Sequence, residues 1–242
     1  MTQLADSLLK KYYAHSPHPY RLFEQAVDTA LATSNGKVLL DAGCGRTVPV
    51  LRKYLGKAQR LIGVELVDFT DVPPGIETHK ADLAHIPLPA GCVDVIMSRS
   101  VFEHLTDPAA VYREFQRLLR PGGVVIFLTA NMWDYGTLIA RLVPNRFHAK
   151  IVGFVEGRAE EDTFPIAYRT NTRKDVEQLS QRSGLAIQRI DYLGQYPNYL
   201  MFNGLLFLIG VAYDKLVCRF EALKLLRGWI LVTLRKPSAA SS

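Results

Sequence analysis

The sequence predicts an α/β fold in which helices pack on both faces of an open, mostly parallel β-sheet. Short apolar runs alternate with helical segments between residues 37 and 130. Acidic or polar residues stand at the ends of the runs or just beyond them, at Asp41, Glu65, Asp82 and Ser98. Because the carboxyl ends of parallel strands share one edge of a sheet, these residues are predicted to surround a common ligand site.

The first predicted strand leads into a glycine turn. Residues 38–41 form an apolar run that ends on Asp41, and Gly43 and Gly45 follow directly. Glycine accepts positive φ angles and has no Cβ atom, so the turn can be tight and a ligand can approach its backbone. A helix over residues 48–55 is predicted next, with its N-terminus directed at a nucleotide-like ligand.

The later elements of this half continue the alternation. Further strands are predicted over residues 60–65, 76–80, 92–97 and 124–128. Asp107 and Pro108 are suited to begin a helix, which residues 121–123, Pro-Gly-Gly, are predicted to end. Glu65 lies 20 residues beyond Gly45, where nucleotide-binding α/β folds place an acid on the ribose hydroxyls. Asp68 is an alternative for the same role.

The composition and charge of the chain argue against several classes of function. The 242 residues carry a net charge of +6, but the basic residues are scattered, so no nucleic-acid partner is expected. Three widely separated cysteines suit a reducing compartment, and residues 1–11 lack the apolar run of an export signal. The predicted location is the cytoplasm, with peripheral membrane attachment as an alternative. His15 and His18 lack partners for a metal site, and no metal is predicted.

Several blocks in order resemble the class I S-adenosylmethionine-dependent methyltransferases, in particular their small-molecule branch. The blocks are Val38-Leu-Leu-Asp-Ala-Gly-Cys-Gly45, Gly63-Val-Glu65, Ala81-Asp-Leu83, Phe102-Glu-His104 and Leu118-Leu-Arg-Pro-Gly-Gly123. The resemblance implies a Rossmann-like, seven-stranded sheet whose last strand is antiparallel. Thr47 departs from the family, which often has glycine there, although threonine can still cap a helix. A dinucleotide dehydrogenase fits less well, since the third glycine of its motif is absent.

The resemblance also implies which residues bind S-adenosyl-L-methionine. The turn formed by Asp41, Ala42, Gly43 and Gly45 would pass under the methionine part of the cofactor. The backbone of Ser98 and Arg99 would meet the methionyl amino group.

The adenosine part of the cofactor would lie along the ends of the second and third strands. Glu65 would hold the ribose, and Leu66 would pack near the adenine. Asp82 would take the adenine amino group, with Leu83 beside it.

Transfer of a methyl group to a hydroxyl would benefit from a general base, and His104 is the candidate because histidine titrates near neutrality. The alternative is a structural Glu-His pair, which the family carries whether or not it acts on a substrate. Further candidates on the acceptor side are His148, Glu161, Asp162 and Tyr168. The expected acceptor is a small or lipid-like molecule, methylated at oxygen rather than at carbon or nitrogen. A methyltransferase-like binding or scaffold protein without catalysis is the other hypothesis.

A single domain over residues 1–242 is predicted. Its parts are an N-terminal helical cap (1–35), a cofactor-binding half (36–130) and an acceptor-side half (131–242). Proline and histidine residues at 15–19 break the cap into two helices, which either cover a sheet edge or act as a flap over the ligand. The sixth and seventh strands are predicted at 185–192 and 229–234, with Thr172 capping a helix that ends at Gly184.

A helical insertion over residues 196–227 separates the last two strands. Its apolar run, residues 200–213, has 14 residues, which is short of the roughly 20 that a membrane span needs. The next segment mixes basic residues with leucine and phenylalanine. Three interpretations stay open for residues 199–227: a helical pair over the sheet edge, contact with a membrane surface or lipidic acceptor, and a homodimer interface.

Overall fold

The computed structural model describes residues 3–34, 37–142 and 166–238. Its sheet consists of β1 Val38–Ala42, β2 Arg60–Glu65, β3 Ile76–Lys80, β4 Val93–Arg99, β5 Leu119–Ala130, β6 Ala186–Leu193 and β7 Trp229–Arg235. The strand order is β3-β2-β1-β4-β5-β7-β6. Neighbours from β3 to β5 are parallel, whereas β7 is antiparallel to both β5 and β6. The predicted seven-stranded, mostly parallel sheet with an antiparallel last strand is therefore confirmed.

The helices of the described ranges are α1 Gln3–Tyr13, α2 Pro19–Thr33, α3 Pro108–Leu118, α4 Tyr135–Leu142, α5 Arg173–Ser183 and α6 Gly204–Arg219. Short 3-10 turns cover Leu51–Tyr54, Phe102–His104, Asn198–Leu200 and Glu221–Leu226. The caps agree with the sequence: the side chain of Asp107 accepts from Ala110 N, and that of Thr172 accepts from Asp175 N. Gly184 ends α5 in the left-handed conformation.

Alternating side chains of the central strands give the sheet two apolar faces. Leu40, Ile96 and Phe127 belong to a buried cluster with residues of α3 and α5. Leu39 and Met97 face the other way, into a second cluster with residues of α2 and the 51–54 turn. This period of two along each strand explains why both faces are covered by helices.

Two predicted elements differ in the structure. The helix expected over residues 48–55 is only the 3-10 turn Leu51–Tyr54. The reason is local, because Val48 has a φ of 47° and Pro49 has no amide hydrogen to donate. Residues 121–123 do not end α3, which already ends at Leu118; they lie within β5, and Gly122 N donates to Lys236 O beyond β7.

The insertion between β6 and β7 lies at the carboxyl edge of the parallel strands. Leu193 and Ala130, the last residues of β6 and β5, both pair with Trp229 at the start of β7. The chain therefore leaves and re-enters the sheet at the edge where Asp41 and Glu65 lie. Within the insertion, α6 packs on α1 around Phe207 and Val211.

Candidate functional site

Three adjacent strand ends bring the predicted site residues together. β1 lies between β2 and β4, and Asp41 pairs in register with Gly63 and Met97. Asp41 and Ala42 at the end of β1 are therefore flanked by the end of β2 on one side and by the end of β4 on the other. The structure thus joins at one edge residues that are up to 58 positions apart, counting from Asp41 to Arg99.

The glycine turn after β1 is held against the end of β2. Gly43 N and Cys44 N both donate to Val64 O, at 2.9 and 3.2 Å. Gly43 has a φ of 78°, and a Cβ atom there would clash with a methyl group of Val101. Both observations require glycine at position 43, as the turn composition predicts.

The Glu65 side chain also holds the glycine turn in place, through hydrogen bonds to two backbone N–H groups. Its Oε2 accepts from Gly45 N at 2.9 Å and its Oε1 accepts from Leu66 N at 2.8 Å. The side chain is almost buried, with 9% exposure. Each carboxylate oxygen has further lone pairs, so Glu65 can accept from neighbouring hydroxyls while it keeps these backbone bonds.

Asp41 is a buried carboxylate with an unsatisfied oxygen. Its Oδ2 has no hydrogen-bond partner within the described part of the chain. Burial raises the pKa of Asp41 to about 7; the Arg99 guanidinium opposes the rise and the Glu65 carboxylate adds to it. A buried acceptor without a donor is costly unless a ligand supplies one, so this position suits a cationic N–H group.

The end of β4 carries a polar and aromatic cluster. Ser98 Oγ donates to Ala42 O at 2.7 Å and so links β4 to β1. The Arg99 guanidinium lies 4.2 Å from the centre of the Tyr20 ring, and the Tyr20 hydroxyl is 3.4 Å from Ser100 Oγ. Because Tyr20 is in the first turn of α2, the N-terminal cap reaches the predicted ligand edge.

The adenosine-side candidates lie at the ends of β2 and β3. Asp82 Oδ1 accepts from Ala84 N at 2.8 Å, and Leu83 is buried in the core cluster. Leu66 is half exposed, which leaves it available to a ligand. Asp68 is exposed and pairs with Lys80 at 2.7 Å.

A buried polar network stands beside His104. His104 lies in the 3-10 turn after β4, next to Glu103, whose Oε2 accepts from Thr129 Oγ1 at 2.8 Å. Asn171 Nδ2 donates to Thr129 Oγ1 at 2.9 Å and to Ala130 O at 2.7 Å. This network fixes the turn that carries His104 to the end of β5.

Thr129, Asn171 and the contact of Tyr20 with Arg99 are functional features that the sequence motifs do not predict. Thr129 follows the apolar run of β5 as Ser98 follows that of β4, and this parallel was the available signal. Asn171 and Tyr20 have no comparable signal, because Asn171 is 42 residues from Thr129 and Tyr20 is 80 residues from Ser100 along the chain.

Of the remaining acceptor-side candidates, only Tyr168 lies within the described residues. His148, Glu161 and Asp162 lie outside the described residues. Tyr168 lies near the network, and its backbone N donates to Glu103 O at 3.0 Å. Among residues 3–34, 37–142 and 166–238, no group of three His, Cys, Asp or Glu side chains could hold a metal ion.

A cavity of about 600 Å³ opens beside this edge, between α1, the segment that precedes α2, the end of β6 and α6. Its lining is largely apolar and aromatic and includes Leu9, Tyr13, Pro19, Leu193, Tyr196 and Lys215. His18 also lines it, and the His18 ring is 4.7 Å from the Tyr20 ring. A cavity of this size and character suits a small organic molecule.

Comparison with known proteins agrees with this geometry. The family model described as a methyltransferase domain matches residues 40–127. A probable S-adenosylmethionine-dependent methyltransferase of Mycolicibacterium smegmatis is 33% identical over 127 residues, covering 50% of this chain and 48% of that protein. A ubiquinone biosynthesis O-methyltransferase of Acinetobacter baumannii is 31% identical over 135 residues, covering 48% and 53%. The chain thus spans about half the length of these curated relatives.

A solved structure supports the fold over a larger part of the chain. It is geranyl diphosphate C-methyltransferase from Streptomyces coelicolor, in complex with Mg²⁺, geranyl-S-thiolodiphosphate and S-adenosyl-L-homocysteine. The TM-score is 0.57 at 15% identity, and the alignment covers 90% of this chain and 76% of that one. The family match over residues 40–127 and the sequence relatives bear out the resemblance to S-adenosylmethionine-dependent methyltransferases, and this solved structure shares the fold.

Proposed function

We propose that this chain transfers a methyl group from S-adenosyl-L-methionine to a small or lipid-like acceptor, at oxygen and without a metal. The observation that carries the proposal is the strand-end turn 41–45, locked by Glu65 and built around the unsatisfied carboxylate of Asp41. S-adenosylmethionine supplies an already activated methyl group on a sulfonium, so the protein mainly has to position two reactants and exclude water.

The residues at the carboxyl edge of the parallel strands would contact different parts of the cofactor. Asp41 and the backbone of Ser98 and Arg99 bind the methionyl part, and Glu65 accepts from the ribose hydroxyls. Leu66, Asp82 and Leu83 frame the adenine. The glycine turn allows the close approach that these contacts require.

On the acceptor side, His104 takes the proton that leaves the hydroxyl as the new bond from oxygen to the methyl carbon forms and the bond from sulfur to carbon breaks. The network of Glu103, Thr129 and Asn171 holds the turn that carries it. The apolar cavity of 600 Å³ favours an acceptor with apolar parts. The relative named for ubiquinone biosynthesis supports oxygen as the methylated atom, whereas the structural neighbour acts at carbon.

Calorimetric titration with S-adenosylmethionine and S-adenosylhomocysteine tests the proposal. Both are expected to bind with a Kd well below about 1 mM. Incubation of the protein with methyl-labelled cofactor and fractionated cell extract is then expected to label an organic-soluble compound. Absence of binding would contradict the methyltransferase assignment. Binding without any labelled product in the extract would favour the non-catalytic alternative.

Cofactor affinity is expected to rise about tenfold between pH 6 and pH 8. Burial raises the pKa of Asp41 to about 7 in the free protein. Because the methionyl ammonium group prefers an ionised Asp41, binding of the cofactor below that pH releases the Asp41 proton. Titration in buffers of different ionisation enthalpy counts this proton. In the matched variant Asp41→Asn the affinity is expected to be lower and independent of pH; an equal pH dependence in that variant would contradict the role of Asp41.

The same carboxylate affects stability in the absence of ligand. Because the pKa of Asp41 is higher in the folded than in the unfolded chain, the folded state holds a proton that the unfolded state has lost. Between about pH 4 and pH 7 the contribution of Asp41 to stability therefore falls as the pH rises. Bound cofactor is expected to offset this loss.

A further inference from the structure

Helix α6 carries an apolar stripe on the side that it turns to solvent. Phe202, just before the helix, and Leu205, Ile209, Leu216 and Phe220 follow one another at helical spacing, and each is more than half exposed. The opposite side of α6 is buried through Phe207, Val211 and Val217. A helix that is apolar on both sides is normally covered on both, and we call the exposed side the apolar face.

The apolar face extends from α6 onto α1. Leu4 is 55% exposed, and it lies so close to Gly204 that a Cβ atom there would come within 2.6 Å of it. At the other end of the helix pair, the Tyr13 hydroxyl donates to Asp214 Oδ2 at 2.7 Å. The two helices therefore run side by side in the same direction, with their apolar N-terminal ends together.

Positive charge gathers at the other end of the same helix pair. Lys10 and Lys11 lie in the last turn of α1, and Lys215 and Arg219 lie near the end of α6. Asp214, the one acidic residue between positions 199 and 220, is buried against Tyr13. The exposed charge along this part of α6 is therefore positive, and it borders the apolar face.

Exposed aromatic side chains lie at and around the apolar face. Tyr12 and Tyr199 are more than one-third exposed, and Phe202 and Phe220 stand at the two ends of the apolar face. Aromatic rings and basic residues bordering an apolar stripe are the composition of helices that lie in the interface of an anionic bilayer.

We infer that the apolar face, with its basic border, docks on the surface of a bilayer that contains anionic lipid, and that α6 then lies in the plane of the interface. Among the described residues, none of the helices combines the length and the apolar character that a membrane span requires. A symmetric pair of copies joined through this face would bring two sets of lysine and arginine side chains together. Anionic headgroups instead neutralise these charges while the acyl region accepts the leucine and phenylalanine side chains.

Vesicle co-sedimentation tests this inference without cofactor or acceptor, so its outcome is independent of the proposed methyl transfer. The probes are phosphatidylcholine vesicles with and without about one-third phosphatidylglycerol. The whole chain is expected to sediment with the anionic vesicles, and at least tenfold more weakly with the neutral ones. Added salt is expected to weaken the binding to anionic vesicles. Failure of the parent protein to sediment with the anionic vesicles would overturn the inference.

A matched pair of double variants locates the contact. Leu205→Gln with Ile209→Gln removes two exposed side chains from the apolar face and is expected to lower vesicle binding at least tenfold. Leu55→Gln with Ile187→Gln removes two exposed apolar side chains elsewhere on the surface, although these are less exposed than Leu205 and Ile209, and it is expected to bind like the parent. All four sites are exposed, so folding should be kept, which circular dichroism checks.

A separate variant tests the basic border. Lys10→Gln with Arg219→Gln is expected to weaken the binding to anionic vesicles while the weak binding to neutral vesicles stays unchanged. Equal vesicle binding by the parent and the Leu205, Ile209 variant would overturn the inference. Light scattering gives a second outcome that would overturn the inference. The parent would form a stable dimer that does not bind vesicles, and only the Leu205, Ile209 variant would dissociate it, because the apolar face would then join two copies of the chain.

Discussion

Glu65→Ala is expected to raise the Kd for S-adenosylmethionine and S-adenosylhomocysteine about 100-fold. The carboxylate is proposed to accept from the ribose hydroxyls while it accepts from Gly45 N and Leu66 N. Its removal takes away charge-assisted hydrogen bonds to the ligand, each worth about 1.5 to 3 kcal/mol, and leaves two backbone donors without a partner. Calorimetric titration of parent and variant at one pH measures the change.

Asp68→Ala is the control for that experiment. Asp68 is the nearest alternative acid, but it is exposed and paired with Lys80, so its removal is expected to change the Kd less than twofold. Thermal unfolding of both variants shows whether the turn stays folded. If Asp68→Ala loses the cofactor and Glu65→Ala keeps it, the ribose contact belongs to Asp68.

His104→Gln is expected to lower kcat about 100-fold once labelled extract has supplied an acceptor, because glutamine cannot take up the hydroxyl proton. The Kd for S-adenosylhomocysteine is expected to stay within twofold of the parent, since the proposed cofactor contacts do not include His104.

His85→Gln is the matched control for His104, because His85 is an exposed histidine in the loop after β3. It is expected to leave kcat unchanged. If His104→Gln also retains the parent's turnover, then the Glu103-His104 pair is structural, and the reaction needs no base at this position.

The sequence was sufficient for the parallel half of the sheet because its signals are local. Runs such as 38–41 combine strand composition with an acidic or polar residue at or just beyond the end, and capping residues such as Asp107 mark the start of a covering helix. Strand ends that share an edge then bring Asp41, Glu65 and Ser98 together with no further information.

The parts that could not be predicted depend on contacts between distant residues. The shortening of the helix at 48–55 reflects the φ of Val48, which is set by the path of the glycine turn against β2. Tyr20 meets Arg99 only after α2 has packed across β4 and β5. The roles of Thr129 and Asn171 likewise depend on the turn Phe102–His104 reaching the end of β5.

The position of β7 between β5 and β6 also sets the order in which the sheet can be completed during synthesis. β5 can pair with β4 once residues 119–130 have been made, but its other edge has no strand to pair with until residues 229–235 have left the ribosome. About 100 further residues, 131–228, are made in the interval. Throughout that time the apolar strand 124–130 presents an unpaired edge, which is the kind of surface that draws nascent chains into aggregates and that chaperones shield.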